Sequence, residues 1–443
     1  MLKYLNASSP IHIKVMNDFV LRAILLVVFA CLALLRAELG SVFVLFALLL
    51  NLSYLWRFRS SMAITVFNVF LSTYWIYLIP YYFFDIPLSI YLNFQDLSIT
   101  NRTMILQVVF VFVFFETLSS PKTIPKFRSL SPSRKNNLFA LVMLIALLGI
   151  IIKAFPTQGI LNAKYSIDMK GSILYEYALI PIILCFFLAS SSTIKRLLFF
   201  VTIMLAAIPL MYGKRLATIQ ILLCVGVLFF DGKIKPWMTI MASFFAFVGM
   251  RFFAILRVHG EDTTIWHSLL SLNKDGIMSN NQGGVTLSSN VYLGLIEEGV
   301  FDFWYRVKSL MGTIQNIFMS SSDSMEEAFV NVVALKYGSL PGNGGFIGVF
   351  AYLWAGWMGP VVVGFVLAKV LQLSSRYNFL VVYSVLILST FPRWNSYNPR
   401  ILFKMGFWLI FMFVCVEIGS RILLQIGKAR KRLAQKSHLY LGK

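Results

Sequence analysis

Residues 197–230 read LLFFVTIMLAAIPLMYGKRLATIQILLCVGVLFF, two long apolar runs separated by a few polar residues. The runs, 197–212 and 216–230, each approach the roughly 20 residues that an α-helix needs to cross a hydrocarbon core about 30 Å thick. The turn between them holds two adjacent cations, Lys214 and Arg215. This stretch therefore predicts a pair of membrane-spanning helices joined by a short, positively charged turn.

The same pattern recurs along the whole chain. Of its 443 residues, 58% are hydrophobic and only 13% are charged, and the mean hydropathy is +0.78. Soluble domains have about 45–50% apolar and about 25% charged residues, so a water-soluble fold is excluded. We predict an all-α polytopic membrane protein with about 12 transmembrane helices. They are predicted at residues 20–35, 39–55, 62–84, 103–118, 137–153, 175–190, 197–212, 216–230, 236–256, 346–369, 378–391 and 401–419.

The distribution of basic residues predicts the orientation of these helices. Connections that follow even-numbered spans are basic, for example WRFRSS at 56–61 and DGKIKP at 231–236. Cytoplasmic connections of membrane proteins are enriched in Lys and Arg, so both termini are predicted to be cytoplasmic. The formal net charge of +21 then reflects orientation and attraction to the lipid bilayer, and we expect no nucleic-acid partner.

One predicted outer connection is far longer than any other, and connections of this length usually carry structure or function of their own. The predicted regions are spans 1–9 in 1–256, the large outer loop at 257–345, spans 10–12 in 346–419 and a basic cytoplasmic tail at 420–443.

Helices are predicted within this loop. Apolar residues at alternating spacings of three and four, from Val300 to Phe318, predict an amphipathic helix. A short helix is predicted at 263–272, and another begins near Ser322. The amphipathic helix is expected to lie on the bilayer surface or pack over the helix bundle. The alternative is that it forms the lid of a cavity.

Several basic residues lie at or near the predicted outer ends of the spans. Charged side chains at membrane depth are costly and often functional. Lys404 follows Arg400 by four residues, so the two share a helix face and can point into one cavity. Together these cations predict a water-accessible site for phosphate or diphosphate, although each could instead extend to the lipid headgroups. The candidate diphosphate-binding residues are Lys214, Arg215, Arg251, Arg257, Arg393, Arg400 and Lys404.

Groups that can transfer a proton follow one of these cations. His259, Glu261 and Asp262 come directly after Arg257, and an imidazole beside two carboxylates can act as acid and base. The alternative is an ordinary hydrated start of a loop. No metal-ligand spacing and no nucleotide-binding motif occurs where it could work, so we expect neither a metal site nor another cofactor.

The order of the motifs resembles a known family. Residues 212–215 read YGKR at the head of a span, and residues 338–345 read GSLPGNGG after the long outer loop. The span that follows has an aromatic and glycine stripe of Tyr352, Gly356 and Gly359. This layout resembles the Wzy-type O-antigen polymerases. The resemblance implies a bundle similar to that of glycosyltransferases of the C type, in the bacterial inner membrane with a periplasmic active site.

The resemblance also implies a reaction. Such enzymes move a growing glycan from undecaprenyl diphosphate to the non-reducing end of a new lipid-linked oligosaccharide repeat unit, without a metal or a nucleotide sugar. Cations would stabilise the leaving diphosphate, and a carboxylate or imidazole would accept the proton of the attacking hydroxyl. A chain-length regulator protein is an implied partner. The candidate catalytic residues, which the sequence does not rank, are His259, Glu261, Asp262 and Glu297.

The family relies on basic residues in two periplasmic loops. In the earlier loop this chain has Lys164, Tyr165 and Lys170, with Lys where Arg is more usual, and Arg306 lies in the later loop. The resemblance therefore makes these four residues candidate glycan contacts.

Two other functions stay open. An O-antigen ligase has the same architecture, but ligases usually carry a His-Asn pair where this chain has Gly342 and Asn343. A lipid-linked oligosaccharide flippase or transporter is expected to spread its charges through the spans and to show matching repeats in its two halves. In this chain the polar residues concentrate on one side, which favours an enzyme.

Overall fold

A computed structural model describes residues 10–88, 96–154, 172–211, 215–259, 281–318 and 344–441. Throughout these residues the ordered elements are helical and no β-strand occurs, which confirms the all-α prediction for this part of the chain. The helices are α1 (Pro10–Leu35), α2 (Gly40–Phe58), α3 (Met62–Phe84), α4 (Leu97–Leu118), α5 (Asn137–Ala154), α6 (Ser172–Tyr177), α7 (Leu179–Leu188), α8 (Ser192–Met211), α9 (Arg215–Val225), α10 (Pro236–His259), α11 (Asn281–Glu297), α12 (Phe303–Phe318), α13 (Ile347–Ala355), α14 (Met358–Leu373), α15 (Asn378–Ser396) and α16 (Arg400–Leu441).

Several of these helices have the length and hydropathy that a bilayer crossing requires. Among the described residues, six qualify alone, and there are seven if α13 and α14 count as one broken span. Shorter apolar helices lie within or overlap the predicted spans at 137–153, 175–190, 216–230 and 236–256, the last of them only as far as Ala246. The chain is therefore a membrane-embedded protein, and the total of twelve spans stays a prediction.

The predicted span 346–369 is not one straight helix, because α13 and α14 meet at a bend of 120°. Gly356 takes a φ of +60°, which glycine adopts without steric penalty, and its N–H donates to the carbonyl of Tyr352 at 2.8 Å. A Cβ on Gly359 would lie 1.9 Å from the carbonyl oxygen of Ala351. The predicted span thus corresponds to two helices, and hydropathy does not predict the bend because it does not register a local reversal of the backbone.

One compact unit comprises Met1–Thr123, Lys235–Lys369 and Pro392–Pro399. Side chains of α3, α4, α11 and α13 form its main hydrophobic cluster. Beside this cluster, Trp394 packs against Phe67 and Phe110, with ring centroids 5.6 and 6.0 Å apart. Aromatic pairs of this geometry add to the stability that burial alone provides.

An ion cluster joins the middle of α1, near the start of its predicted span, to the ends of α2 and α4 in this unit. The Glu116 carboxylate at the end of α4 accepts hydrogen bonds from Arg22 of α1 and from Arg57 at the end of α2. The start of that span and the ends of α2 and α4 are all predicted to be cytoplasmic. The cluster therefore agrees with the predicted alternation of these helices.

The sequence does not predict α11, which lies inside the segment 257–345 that was expected to be an outer loop. Its sequence, NQGGVTLSSNVYLGLIE, is rich in small and polar residues and has no clear apolar period. In the structure residues 283–295 are buried, with Ser289 and Asn290 fully enclosed. The large loop therefore includes a core helix of the unit.

The predicted amphipathic helix is confirmed as α12, which begins at Phe303. Its apolar stripe faces outward, since Trp304 is 67% and Phe318 is 61% exposed. Exposed apolar side chains on one face favour contact with the bilayer surface. The helices predicted at 263–272 and near Ser322 lie outside the described residues.

The second compact unit comprises Ile124–Ile234, Val370–Phe391 and Arg400–Lys443. Every residue of α7 is buried, and α7 packs against α5 and α8. The helix α9 continues into a π-helical turn, Gly226–Phe230.

Two predicted boundaries fall inside helices. The outer loop was expected to start at residue 257, but α10 continues to His259. The basic tail was expected from residue 420, but α16 continues without a break to Leu441. The end of an apolar run predicts where a helix leaves the bilayer. It does not predict where the helix ends, because backbone hydrogen bonds can continue into polar sequence.

Candidate functional site

The start of α13 lies at a buried polar cluster. The Phe346 N–H donates to the hydroxyl of Ser289 at 2.8 Å, and the Gly345 N–H donates to the carbonyl of Tyr397 at 3.2 Å. A Cβ on Gly344 would lie 2.7 Å from Cα of Tyr397. The glycines that end the GSLPGNGG motif therefore allow the backbone to pack directly against α11 and the end of α15.

A chain of buried amide groups extends from the first turn of α13. The Gly348 N–H donates to Oε1 of Gln107 at 3.2 Å, and Nε2 of Gln107 donates to Oδ1 of Asn395 at 2.9 Å. Nδ2 of Asn395 in turn donates to the Ser396 hydroxyl at 3.0 Å. All three side chains are fully buried. Because an unpaired buried polar group costs about 1–3 kcal/mol, this network fixes α4, α13 and the end of α15 against one another.

Tyr74 and Arg393 border the cluster. The Tyr74 hydroxyl is hydrogen-bonded to Ser396, and its ring meets Phe346 edge-on with centroids 5.1 Å apart. Arg393 lies in the last turn of α15, with its guanidinium carbon 6.0 Å from the centre of the Tyr397 ring. We name this arrangement the helix-break site. It consists of Tyr74, Gln107, Ser289, Gly344–Gly348, Arg393 and Asn395–Tyr397.

The helix-break site differs from an anion site built on a helix N-terminus. The backbone N–H groups of Gly345, Phe346 and Gly348 all donate to acceptors of the protein itself. The helix dipole places partial positive charge there, but these donors are not available to a ligand. An anion at this site would instead bind a side-chain cation. Arg393 is a predicted diphosphate-binding residue, and the structure places it here.

Arg306, a predicted glycan contact, binds the protein itself. From α12 its Nε donates to the carbonyl of Leu353 at 2.5 Å, and Nη2 donates to the carbonyl of Tyr352 at 3.0 Å. The last carbonyls of a helix lack intrahelical partners and carry partial negative charge, so a guanidinium caps them favourably. Arg306 therefore stabilises the end of α13 at the bend, and a role in glycan binding stays a prediction.

Replacing Arg306 with alanine is expected to destabilise the protein by about 2 kcal/mol, because charge-assisted hydrogen bonds to two carbonyls are lost. Thermal unfolding of the detergent-purified protein measures the effect. Lys308→Ala, at an exposed position of the same helix, is the matched control and should leave the unfolding temperature nearly unchanged. Equal unfolding temperatures for Arg306→Ala and the unaltered protein would contradict the capping role.

Glu297, a candidate base, forms an ion pair with Arg102. Glu297 is the last residue of α11, and its carboxylate contacts the guanidinium of Arg102 on α4. The Arg102 side chain is 41% exposed and that of Glu297 is 37% exposed. An exposed ion pair of this kind contributes only about 0.2–1 kcal/mol to the stability of the protein. Because more than a third of the Glu297 side chain is exposed, its carboxylate stays accessible to water and to a substrate.

Two other predicted cations lie in the second compact unit. Arg400 begins α16 and Lys404 follows one helical turn later, which confirms that they lie on one face of one helix. Both are half-buried.

The structure gives only the backbone positions of four further candidates. Arg215 begins α9, and Arg251, Arg257 and His259 lie in the last turns of α10, so the last two belong to a helix rather than to a loop. Their side chains lie outside the described part of the structure. The candidates that lie entirely outside the described residues are Lys164, Tyr165, Lys170, Lys214, Glu261 and Asp262.

The sequence did not predict the neutral polar residues of the helix-break site, among them Gln107, Asn395 and Ser289. Gln107 interrupts an apolar run, and such an interruption is the signal that could have identified it. Asn395 lies among other polar residues beyond the predicted span 378–391 and carries no such signal. Ser289 had no such signal because its helix was not predicted.

The chain matches no family model, no curated protein and no solved structure. The resemblance to the O-antigen polymerases therefore rests on the sequence motifs alone. Among the described residues, no group of three or more His, Cys, Asp and Glu side chains could hold a metal ion.

Proposed function

We propose that this chain is an integral membrane glycosyltransferase of the O-antigen polymerase type. It would transfer a growing glycan from undecaprenyl diphosphate to the non-reducing end of a new lipid-linked repeat unit. The bacterial inner membrane is its proposed location, with both termini in the cytoplasm and the reaction at the periplasmic face. A chain-length regulator is a proposed partner.

The helix-break site is the observation that carries this proposal. The segment with the family-like motif, residues 338–359, ends in the bent pair of helices at a fully buried polar network. Buried polar networks are costly unless every member is hydrogen-bonded, and a satisfied network holds its helices in one arrangement. Here the network holds the end of α15, which carries Arg393.

The proposed reaction needs a cation and a base. The bond between the anomeric carbon and the diphosphate oxygen breaks, and its electron pair leaves with the diphosphate. The acceptor hydroxyl forms the new bond to that carbon and gives its proton to a base. Arg393 would stabilise the negative charge that develops on the leaving oxygen. Glu297 is the candidate base whose side chain is described and solvent-accessible.

Transport of a lipid-linked oligosaccharide is the second candidate function, and the 120° bend favours it. Broken helices at the bilayer midplane are typical of secondary transporters, where the N-terminus of a half-helix points at an anionic substrate. Around the start of α13 the N–H groups of Gly345, Phe346 and Gly348 are already occupied by acceptors of the protein itself. This occupancy supports the enzyme over the transporter.

Deletion of the gene in the source strain is expected to reduce the lipopolysaccharide ladder to core plus one repeat unit. Complementation should restore the ladder, whereas Arg393→Ala should not, because removal of one transition-state contact lowers such rates by about 10²–10³-fold. Arg215→Ala is expected to fail in the same way. Gel electrophoresis of lipopolysaccharide measures all three outcomes.

Arg36→Ala is the matched control, because Arg36 is an exposed arginine on the same predicted side of the membrane. It should restore the ladder fully. Core without any repeat unit in the deletion strain would contradict the polymerase. That result would indicate a flippase or a ligase, and accumulation of lipid-linked polymer would distinguish the ligase.

A further inference from the structure

A half-open cavity of about 500 Å³ lies within the second compact unit. It is formed by α7, α8, the π-helical turn after α9 and the short turn Phe127–Ser129. Five phenylalanines and four basic residues line it. The basic residues are Arg128, Lys195, Arg196 and Lys233.

The cations of this cavity have no acidic partner among the residues that the structure describes. No Asp or Glu lines the cavity, and none of the four cations forms an ion pair there. The adjacent Asp231 is engaged with Lys126 and with the backbone N–H groups of Phe127 and Gly232.

Further positive charge lies close to the cavity. The Lys135 ammonium donates to the carbonyl of Phe187 at 2.8 Å. Burial lowers the pKa of Lys135, and the nearby Lys195 ammonium lowers it further. Like charges repel, so a bound anion would stabilise this group of cations.

The phenylalanines of the cavity contact one another through their rings. The ring of Phe229 lies 5.0 Å from that of Phe186 and 5.5 Å from that of Phe199, measured between centroids. The Lys195 ammonium lies 4.6 Å from the centre of the Phe186 ring. Phe229 and Phe230 are carried by the π-helical turn, an irregularity that is frequent at functional sites. The cavity thus combines four cations with an aromatic lining.

We propose that this cavity binds an anionic phospholipid, with its headgroup phosphate among the four cations and its acyl chains along the phenylalanines. The cavity lies next to the basic connection DGKIKP, on the predicted cytoplasmic side. Basic pockets between membrane helices on that side bind phospholipid headgroups. A volume of about 500 Å³ is within the usual range of about 300–1,000 Å³ for ligand sites. The proposal does not depend on the glycosyltransferase reaction.

Native mass spectrometry of the full-length protein tests this site. The protein is released from nanodiscs that contain equal amounts of phosphatidylcholine and cardiolipin. The unaltered protein is expected to retain cardiolipin preferentially, and Lys195→Ala combined with Arg196→Ala should lower that retention about tenfold or more. Arg376→Ala, an exposed arginine on the same predicted side and outside the cavity, should retain cardiolipin as the unaltered protein does.

One further variant and one competition measurement complete this test. Lys233→Glu, at an exposed position, reverses one charge of the cavity lining and replaces the double variant if that variant does not fold. Inorganic diphosphate at millimolar concentration should not displace the lipid, because it cannot contact the phenylalanines. Equal retention of both lipids by the unaltered protein would overturn the proposal. Displacement by diphosphate would overturn the lipid assignment in favour of a soluble phosphate.

Discussion

Gly359→Ala is expected to remove most of the folded protein from the membrane. A Cβ at this position would lie 1.9 Å from the carbonyl oxygen of Ala351 and 2.3 Å from its carbonyl carbon. Because the contact is with backbone, α13 or α14 would have to move. Overpacking costs about 1–3 kcal/mol and sometimes more, out of a total stability of about 5–15 kcal/mol. Size-exclusion chromatography after detergent extraction measures the yield, which should fall several-fold.

A second glycine variant and a matched control variant are measured in the same way. Gly348→Ala would place a Cβ 2.6 Å from the carbonyl oxygen of Leu106 and should lower the yield as well. Gly149→Ala is the control, because nothing lies within 4 Å of its Cβ position. Alanine is favoured over glycine in a helix by about 0.5–1 kcal/mol, so this yield should hold or rise. A normal yield for Gly359→Ala would contradict the bend between α13 and α14.

Glu116→Gln is expected to destabilise the protein by about 3 kcal/mol. The carboxylate is only 7% exposed and accepts hydrogen bonds from Arg22 Nε at 2.8 Å, Arg57 Nη1 at 3.1 Å and the Tyr54 hydroxyl at 3.0 Å. Glutamine would leave two guanidinium groups without their counter-ion. Loss of one partner of a buried pair costs about 3–5 kcal/mol, and the partial exposure of both arginines places the effect at the lower end.

Thermal unfolding in detergent measures this difference. Glu38→Gln is the control, since Glu38 is an exposed glutamate in a short turn between α1 and α2. Its unfolding temperature should stay within experimental error of that of the unaltered protein. If Glu116→Gln unfolded at the same temperature as Glu38→Gln, α1, α2 and α4 would not be joined by this cluster.

Hydropathy predicted the helical class and the positions of most helices because burial in lipid acts on composition directly. The alternating apolar spacing also predicted α12 correctly. Composition could not predict α11, because its serine- and glycine-rich surface is buried by packing against other helices rather than by lipid. Composition could not predict the bend at Gly356 either, because the positive φ of this glycine does not interrupt the apolar run in the sequence.

The candidate site was only partly predictable for a related reason. A cation near the end of a predicted span is conspicuous in a sequence, so Arg393 was a predicted candidate residue. Neutral amides such as Gln107 cost less to bury than charged side chains and are less conspicuous in a sequence. They nevertheless form the buried network. The capping role of Arg306 depends on carbonyl groups about 50 residues away in the chain, and no local pattern encodes such a contact.

Polymerisation by the purified protein is the most direct test of the proposed function. The full-length chain is reconstituted in vesicles with lipid-linked repeat units extracted from the deletion strain, and the products are separated by gel electrophoresis. We expect a ladder of polymer lengths, release of one polyprenyl diphosphate for each new linkage, and a rate about 10²-fold lower for Arg393→Ala. Movement of the repeat unit across the vesicle membrane without any ladder would contradict the proposed function and would indicate a transporter.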